Sequence, residues 1–334
     1  MKQLKRLAFL ALAAIMLLAC ASCGAAGQTQ QQPQGSLTAD GETVHIAYSC
    51  VADGEQAPWA GELRTALEEM CQEQGWELSV RSAEGVPANQ GAQVTELLAE
   101  DPDYFILFAG DSLMANDWVK EIFDAGVPVI MAGIDASPSM QSSVSAFVGP
   151  DQEAIAAQLA ANLIWDNGAD AGLNIVCISG NEPQQDYILR EQGYEKTIGH
   201  FSNYTILATE YAGASRDKAK EIMETYIQNY GDKLDVVMCY DDEFAMGAIE
   251  VLQQHDMLDQ VKVYSITGSN EAIQAVKDGT LTETVINDAH QIAEGCAQVI
   301  NGLMTGTIPV HYNYTTPTYI DSENASDYVD KGAF

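Results

Sequence analysis

The chain has 334 residues, 48 of them acidic and 15 basic, for a formal charge of −33. A polyanion of this size repels phosphate backbones and anionic lipid headgroups, which excludes nucleic acid as a partner. Apolar residues make up 47% of the chain, enough for a sizeable core, and the length points to two domains rather than one.

The first residues, Met1-Lys-Gln-Leu-Lys-Arg6, are basic and precede an apolar run from Leu7 to Leu18. This is the pattern of a secretory signal, and the run is too short for a comfortable membrane span. The segment Leu17-Leu-Ala-Cys20 resembles the lipobox of bacterial lipoproteins, with Cys20 as the lipid anchor and Cys23 as the second candidate. Residues 1–19 then form a signal peptide and residues 20–42 a lipidated, flexible tether rich in Gln, Gly, Ala and Ser. Two acyl chains on one cysteine suffice for stable anchoring. Cleavage and release is the alternative. The other cysteines sit singly, as at Cys50, Cys177 and Cys239 inside apolar runs, and read as small buried hydrophobes rather than a disulfide framework.

From Val44 onward, strand-like apolar runs alternate with amphipathic helical stretches. The first half is expected as strand Val44–Cys50, helix Trp59–Gln74, strand Glu77–Arg81, helix Ala92–Ala99, strand Tyr104–Ala109, helix Ala115–Ala125, and strands Val127–Ala132 and Ala146–Gly149. Next come helix Gln152–Asp166, strand Asn174–Ser179, helix Asp186–His200, strand Tyr204–Glu210, helix Arg216–Asn229 and strand Val236–Tyr240. The chain then continues with helix Asp242–His255, strand Lys262–Thr267, helix Glu271–Asp278, strand Thr284–Asn287 and helix Ala289–Met304. Such alternation predicts an α/β fold with parallel sheets covered by helices on both faces. Ten strands are too many for one doubly wound domain of usual size, so two sheets are expected. Ligands of such sheets bind outside the carboxyl ends of the strands, which directs attention to the polar residues just after each strand.

Four segments carry a resemblance: Phe147-Val-Gly-Pro-Asp151, Asp241-Asp-Glu-Phe-Ala-Met-Gly-Ala248, Ala275-Val-Lys-Asp-Gly279 and Ile286-Asn-Asp-Ala289. Their order and spacing resemble the type I periplasmic binding proteins, especially the galactose/glucose-binding and ribose-binding members, over roughly Val44 to Tyr319. The resemblance implies two Rossmann-like doubly wound lobes joined by a three-crossover hinge, near Gly149-Pro150, Asn287 and Thr315-Thr316. The lobes would be 43–149 plus 288–314 and 150–286 plus 315–334. It also implies a small-molecule ligand, a monosaccharide first, an ABC transporter permease as partner, a monomer, no cofactor, and a location outside the cytoplasmic membrane.

A sugar offers an apolar CH face and a rim of hydroxyls, so a protein holds it with an aromatic plate and with carboxylates, amides and guanidinium groups. By the resemblance, Trp59 is the plate, the alternative being a core residue at a helix start. Asp186 and Arg190, four apart on one helix, share a face and match a hydroxyl-binding pair; a surface ion pair is the alternative. Asp241 stands where the family has a ligand-binding Asn, with Asp242 as the helix cap. Asn287 matches a hinge-adjacent amide. Asp111 and Asp135 end first-lobe strands and are further candidates, although a loop Asp is commonly a turn former. Three positions depart from the pattern: Thr267 replaces a ligand-binding Asp, Gly133-Ile134 replaces a polar pair, and no second aromatic plate stands near Ala214.

No metal site is expected: Asp166-Asn-Gly-Ala-Asp170 lacks the spacing of a calcium loop and reads as a turn, and the five histidines are scattered. Nucleophile-elbow, dinucleotide and phosphate-loop motifs are missing from the sequence, which argues against an exported enzyme. A leader and tether occupy the place where a transcriptional regulator carries its DNA-binding helices. A nucleoside or small polyol as ligand, and sensing for a two-component kinase in place of transport, remain open alternatives.

Overall fold

A computed structural model describes residues 43–53, 57–181 and 184–334. The signal peptide, both candidate lipid anchors Cys20 and Cys23, and the tether expected over 20–42 lie outside the described residues.

Six strands form one sheet: β1 (His45–Cys50), β2 (Glu77–Ser82), β3 (Tyr104–Phe108), β4 (Val129–Ala132), β5 (Ala146–Gly149) and β11 (Tyr312–Tyr314). Their order is β11-β5-β4-β3-β1-β2, and every pairing is parallel. The second sheet holds β6 (Asn174–Ser179), β7 (Thr205–Tyr211), β8 (Val236–Cys239) and β9 (Lys262–Tyr264) in the order β7-β6-β8-β9. Single parallel bridges, Tyr264 to Glu283 and Thr267 to Ile286, bring β10 (Thr284–Ile286) alongside β9. There β10 pairs with β12 (Thr318–Ile320), and this pairing is antiparallel. The chain passes between sheets three times: from β5 to β6, from β10 to β11, and from β11 to β12.

Ten α-helices are described: α1 (Pro58–Gln74), α2 (Pro87–Leu98), α3 (Ala115–Asp124), α4 (Gln152–Asn167), α5 (Gln185–Ile198), α6 (Arg216–Tyr230), α7 (Asp242–Gln254), α8 (Asn270–Asp278), α9 (Ala289–Met304) and α10 (Ala325–Tyr328). Strand residues alternate between two cores. Ile46, Tyr48 and Ile106 pack with Leu63 and Leu67 of α1 and Ile292 of α9, whereas Ala47, Phe105 and Leu107 pack with Leu97 of α2 and Val119 of α3. The second sheet repeats this: Val176 and Val237 face α6 and α7, and Ile175 and Val236 face α4 and α5. Burial on both faces is why these strands read as continuous apolar runs.

Several boundaries move. Helix α2 begins five residues before the expected Ala92, because Pro87 can occupy the first helical turn, where its missing N–H costs nothing. Strand β9 stops at Tyr264, short of Thr267, where the chain turns out of the ladder. Strands β11 and β12 and helix α10 lie in a stretch for which no elements were expected, and β12 forms a separate antiparallel pair with β10. All three are short and owe their conformation to partners far away in sequence. Asp166 to Asp170 form the end of α4 and a turn, as expected. Among the described residues, Cys50, Cys71, Cys177, Cys239 and Cys296 are free and buried, and no group of three or more His, Cys, Asp or Glu is placed to hold a metal.

Candidate functional site

The carboxyl ends of β1, β3, β6 and β8 face one another, and between them lies a cavity of about 270 Å³. Trp59, at the second position of α1, lines it on one side. Its ring packs against Phe108 at the end of β3, with centroids 5.5 Å apart and planes tilted by 58°. Its indole N–H donates to the carbonyl oxygen of Asn287 over 2.7 Å. The ring also sits close over Gly133: a Cβ there would lie 3.0 Å from the indole, on a backbone with φ of +74°. The glycine that replaces a polar residue in the expected pattern therefore makes room for the indole.

The opposite wall comes from α5, the start of α7 and the Thr267 turn. Arg190 is buried at 4% exposure. Its Nε donates to Gln152 Oε1 over 2.8 Å, another N–H donates to the Tyr240 carbonyl, and the guanidinium lies 5.5 Å from the Tyr187 ring centroid. No salt bridge joins it to Asp186 among the described residues. Its place is thus locked, and it faces the cavity as an oriented cation. Tyr187 lies flat over Gly180, where any Cβ would overlap the ring at 2.1 Å. Tyr187, Phe244 and Phe334 give this wall the aromatic surface that sequence did not reveal near Ala214, itself a lining residue.

Two acceptors are left over. Asn287 is 6% exposed and its Oδ1 has no hydrogen-bond partner among the described residues; the same holds for Asp186 Oδ1. Both residues line the cavity. Burial without a partner costs about 1–3 kcal/mol per group, which a ligand hydroxyl would recover. Burial raises the Asp186 carboxyl, and Arg190 pulls it back.

Asp241 also lines the cavity. Here the expected division of labour is corrected: Asp241, not Asp242, is the N-cap of α7, its Oδ1 accepting from the Glu243 N–H over 3.0 Å. Its Oδ2 accepts from the Thr267 hydroxyl, also over 3.0 Å. Thr267 has φ of +142°, a conformation rare for a β-branched residue. It is held there by hydrogen bonds from its N–H to Val285 and from the Asn287 N–H to its carbonyl. Asp242 is 1% exposed, turned into the protein, and does not line the cavity.

Burial, then the neighbouring Asp242, push the Asp241 carboxyl up to about 7. A carboxyl raised in the folded state binds a proton that the unfolded chain has released, so its effect is to lower stability as pH rises from about 4 to about 7 and to leave it level above. Asp241→Asn removes that slope. Urea unfolding at a series of pH values should show the stability of the Asn variant, relative to wild type, growing up to about pH 7 and then levelling. A difference that is flat across this range would mean an ordinary carboxyl.

Asp111 and Asp135 separate from this group. Asp111 Oδ1 accepts from the N–H groups of Leu113 and Met114, both at 2.8 Å, and does not line the cavity. It is a turn former. Asp135 borders an adjoining compartment instead; its Oδ1 accepts from the Ala136 N–H, and burial raises its carboxyl. Lining residues that sequence reasoning missed include Phe108, Gln152, Tyr187 and Phe334. Phe108 ends a strand and Tyr187 adjoins Asp186, so position alone was a usable signal for both. Phe334 carries no such signal: it reaches the cavity because the Ala333 N–H donates to the Gly268 carbonyl and the Gly332 N–H to Asn270 Oδ1.

Residues 47–308 match the family model described as periplasmic binding protein domain. The chain belongs to this family. Within it, the chain is 24% identical over 292 residues to a xylitol-binding protein of Mycolicibacterium smegmatis, covering 87% of this chain and 78% of that one. It is 23% identical to the ribose import binding protein of Salmonella typhimurium, over 75% of this chain and 81% of the relative. A solved ABC transporter solute-binding protein of Bacillus halodurans with bound myo-inositol superposes with a TM-score of 0.79 at 24% identity, over 88% of this chain and all of that one. The two-lobed type I periplasmic binding protein fold is therefore shared by this chain.

Proposed function

We propose that this periplasmic binding protein captures a sugar or polyol in the cavity between its lobes and hands it to an ABC importer. The observation that carries this is the pairing of an aromatic plate, Trp59 on Phe108, with partnerless buried acceptors at Asp186 and Asn287 and an oriented guanidinium at Arg190. A polyhydroxylated ring with one CH-rich face satisfies all of these at once. Relatives named for xylitol and ribose support the ligand class.

On this reading the lobes are 43–149 plus 288–314 and 150–286 plus 315–334. They close on the ligand about the three crossings near Gly149-Pro150, Asn287 and Thr315-Thr316, and the closed form is what the permease meets. Trp59, Asp186, Arg190, Asp241 and Asn287 touch the ligand. The protein acts as a monomer and makes or breaks no bonds. It works outside the cytoplasmic membrane, held by a lipid on Cys20, or on Cys23 if that is the residue used. Cys20→Ser should move the protein from the membrane to the soluble fraction; unchanged retention would assign the anchor to Cys23 or to neither.

The ligand class is tested by a thermal-shift screen of the purified protein against monosaccharides, disaccharides, polyols and nucleosides. A ligand at about 100 times its dissociation constant adds about 2.7 kcal/mol, raising the melting temperature by about 5 °C. A shift with sugars or polyols is the expected result. A shift with nucleosides alone would overturn the ligand class.

A further inference from the structure

The interlobe cleft continues past the cavity just described. Gly133, Ile134, Pro150, Gln152 and Asp186 border it and also border a second compartment, of about 480 Å³, beside the first crossover. One wall of this compartment is β11, the edge strand of the first sheet. Tyr312 and Tyr314, two apart and hence on one face of the strand, stack with ring centroids 5.5 Å apart and planes only 11° off parallel. They remain 39% and 51% exposed. Phe147 supports both, edge-on, at 6.2 Å. The Gln141 side-chain amide donates to the Tyr312 hydroxyl and lies 3.5 Å from Asp135 Oδ2. The facing wall belongs to the other lobe: α4 contributes Gln152 and Glu153, and α5 contributes Gln185, Asp186 and Leu189.

We propose that this compartment is a subsite for a second ring, so that the ligand is a glycoside with one ring on Trp59 and the next on the Tyr312–Tyr314 pair. The proposal rests on the sugar or polyol reading above. An aromatic pair on an edge strand, open to the cleft and framed by amide and carboxyl groups, has the chemistry of the first site: a flat apolar face with a hydrogen-bonding rim. The first compartment falls just under the ~300–1,000 Å³ of pockets that enclose drug-sized ligands, and the second falls within that range. Asp186 and Gln152 stand at the junction, where a glycosidic linkage and its flanking hydroxyls would pass. Gly133 borders both compartments. Among the described residues no Lys or Arg lines the second compartment, so the appended group is neutral or cationic and not a phosphate or carboxylate.

Titration calorimetry on the purified protein tests this with matched probes: glucose against maltose and cellobiose, and galactose against lactose and melibiose. The expected result is that at least one disaccharide binds about tenfold more tightly than its parent monosaccharide. Tyr314→Ala should abolish that gain while leaving the monosaccharide within about twofold, and Tyr314→Phe, which keeps the ring, should retain it. Because Tyr314 is half exposed, the variant is expected to fold, and its melting temperature is checked alongside. Monosaccharides that bind while every disaccharide binds no better would overturn the subsite and leave the sugar reading standing. So would a disaccharide gain that survives Tyr314→Ala. Failure of every sugar and polyol in the thermal-shift screen would overturn the sugar reading, and the subsite with it.

Discussion

Replacing Trp59 by alanine is expected to weaken ligand binding about a hundredfold, a loss of about 2.7 kcal/mol. Truncating a large aromatic at the centre of a recognition site typically costs 2 kcal/mol or more, because its burial against the partner and its ring geometry are lost together (about 2–4 kcal/mol). Trp59 has a second role that bears on the experiment. Its ring packs against core residues of both lobes, and its N–H holds the Asn287 carbonyl at a crossover. The alanine variant should therefore also lose stability, by about 1–3 kcal/mol, less than the ~3–5 kcal/mol of a fully buried Trp. Trp59→Phe separates the roles: it keeps a plate and loses the N–H, so it should bind within about tenfold of wild type. Calorimetric titration of both variants, with denaturant unfolding in parallel, measures each part. Normal binding by a folded Trp59→Ala protein would remove the ring from the site.

Asp242→Ala should cost about 3–5 kcal/mol of stability, enough to unfold a marginal protein. Asp242 has no access to the ligand cavity and 1% exposure. Its Oδ1 accepts from the hydroxyls of Ser265, at 2.5 Å, and Thr284, at 2.7 Å. Its Oδ2 accepts from the Ser269 N–H, at 2.7 Å. One carboxylate thus ties the start of α7 to the end of β9, to β10 and to the loop before α8, where Ser269 in turn caps that helix by accepting from the Ala272 N–H. Alanine leaves three buried donors without a partner, and such donors cost more than the bonds themselves contribute. Asp242→Asn keeps the shape and one acceptor oxygen, and should lose less, about 1–2 kcal/mol. It also removes the charge beside Asp241, so the Asp241 carboxyl should titrate lower. Urea unfolding of both variants checks the order. If Asp242→Ala were as stable as wild type, the cluster would have to be satisfied by water.

The likeness of Asp111 and Asp241 in sequence shows where local reading runs out. Each is an Asp just beyond a buried strand and just before a helical segment, and each has the short acceptor side chain that favours a cap. In the fold, Asp111 spends one oxygen on two turn amides and stays outside the cavity. Asp241 spends one on the Glu243 amide and keeps the other at the cavity wall, on Thr267. The difference is the approach of the Thr267 turn, 26 residues later. The same limit explains the reversed roles of Asp241 and Asp242: the residue that caps is the one with extended backbone, and no local pattern says which of two adjacent carboxyls is turned into the protein.

What the sequence determined by itself is what short-range physics controls. Continuous apolar runs alternating with amphipathic segments dictate parallel strands buried on both faces, and strand ends mark the side on which ligands bind. Strands β5 and β6 and helix α9 accordingly begin and end where their periodicity does. Trp59, Asp186, Arg190, Asp241 and Asn287 were legible as candidates through the family resemblance, which matched each of them to a ligand-binding position. Tertiary structure alone decided the rest. Strands β11 and β12 have three residues each and exist only through pairing across crossovers, since so short a segment cannot offset its own loss of chain entropy. Phe334 joins the cavity wall through two hydrogen bonds to the Gly268–Asn270 loop, and the Tyr312–Tyr314 pair faces α4 and α5 only because the chain crosses back to the first sheet after β10. In each case the deciding contact joins residues far apart in sequence, and its free energy has no local signature to read.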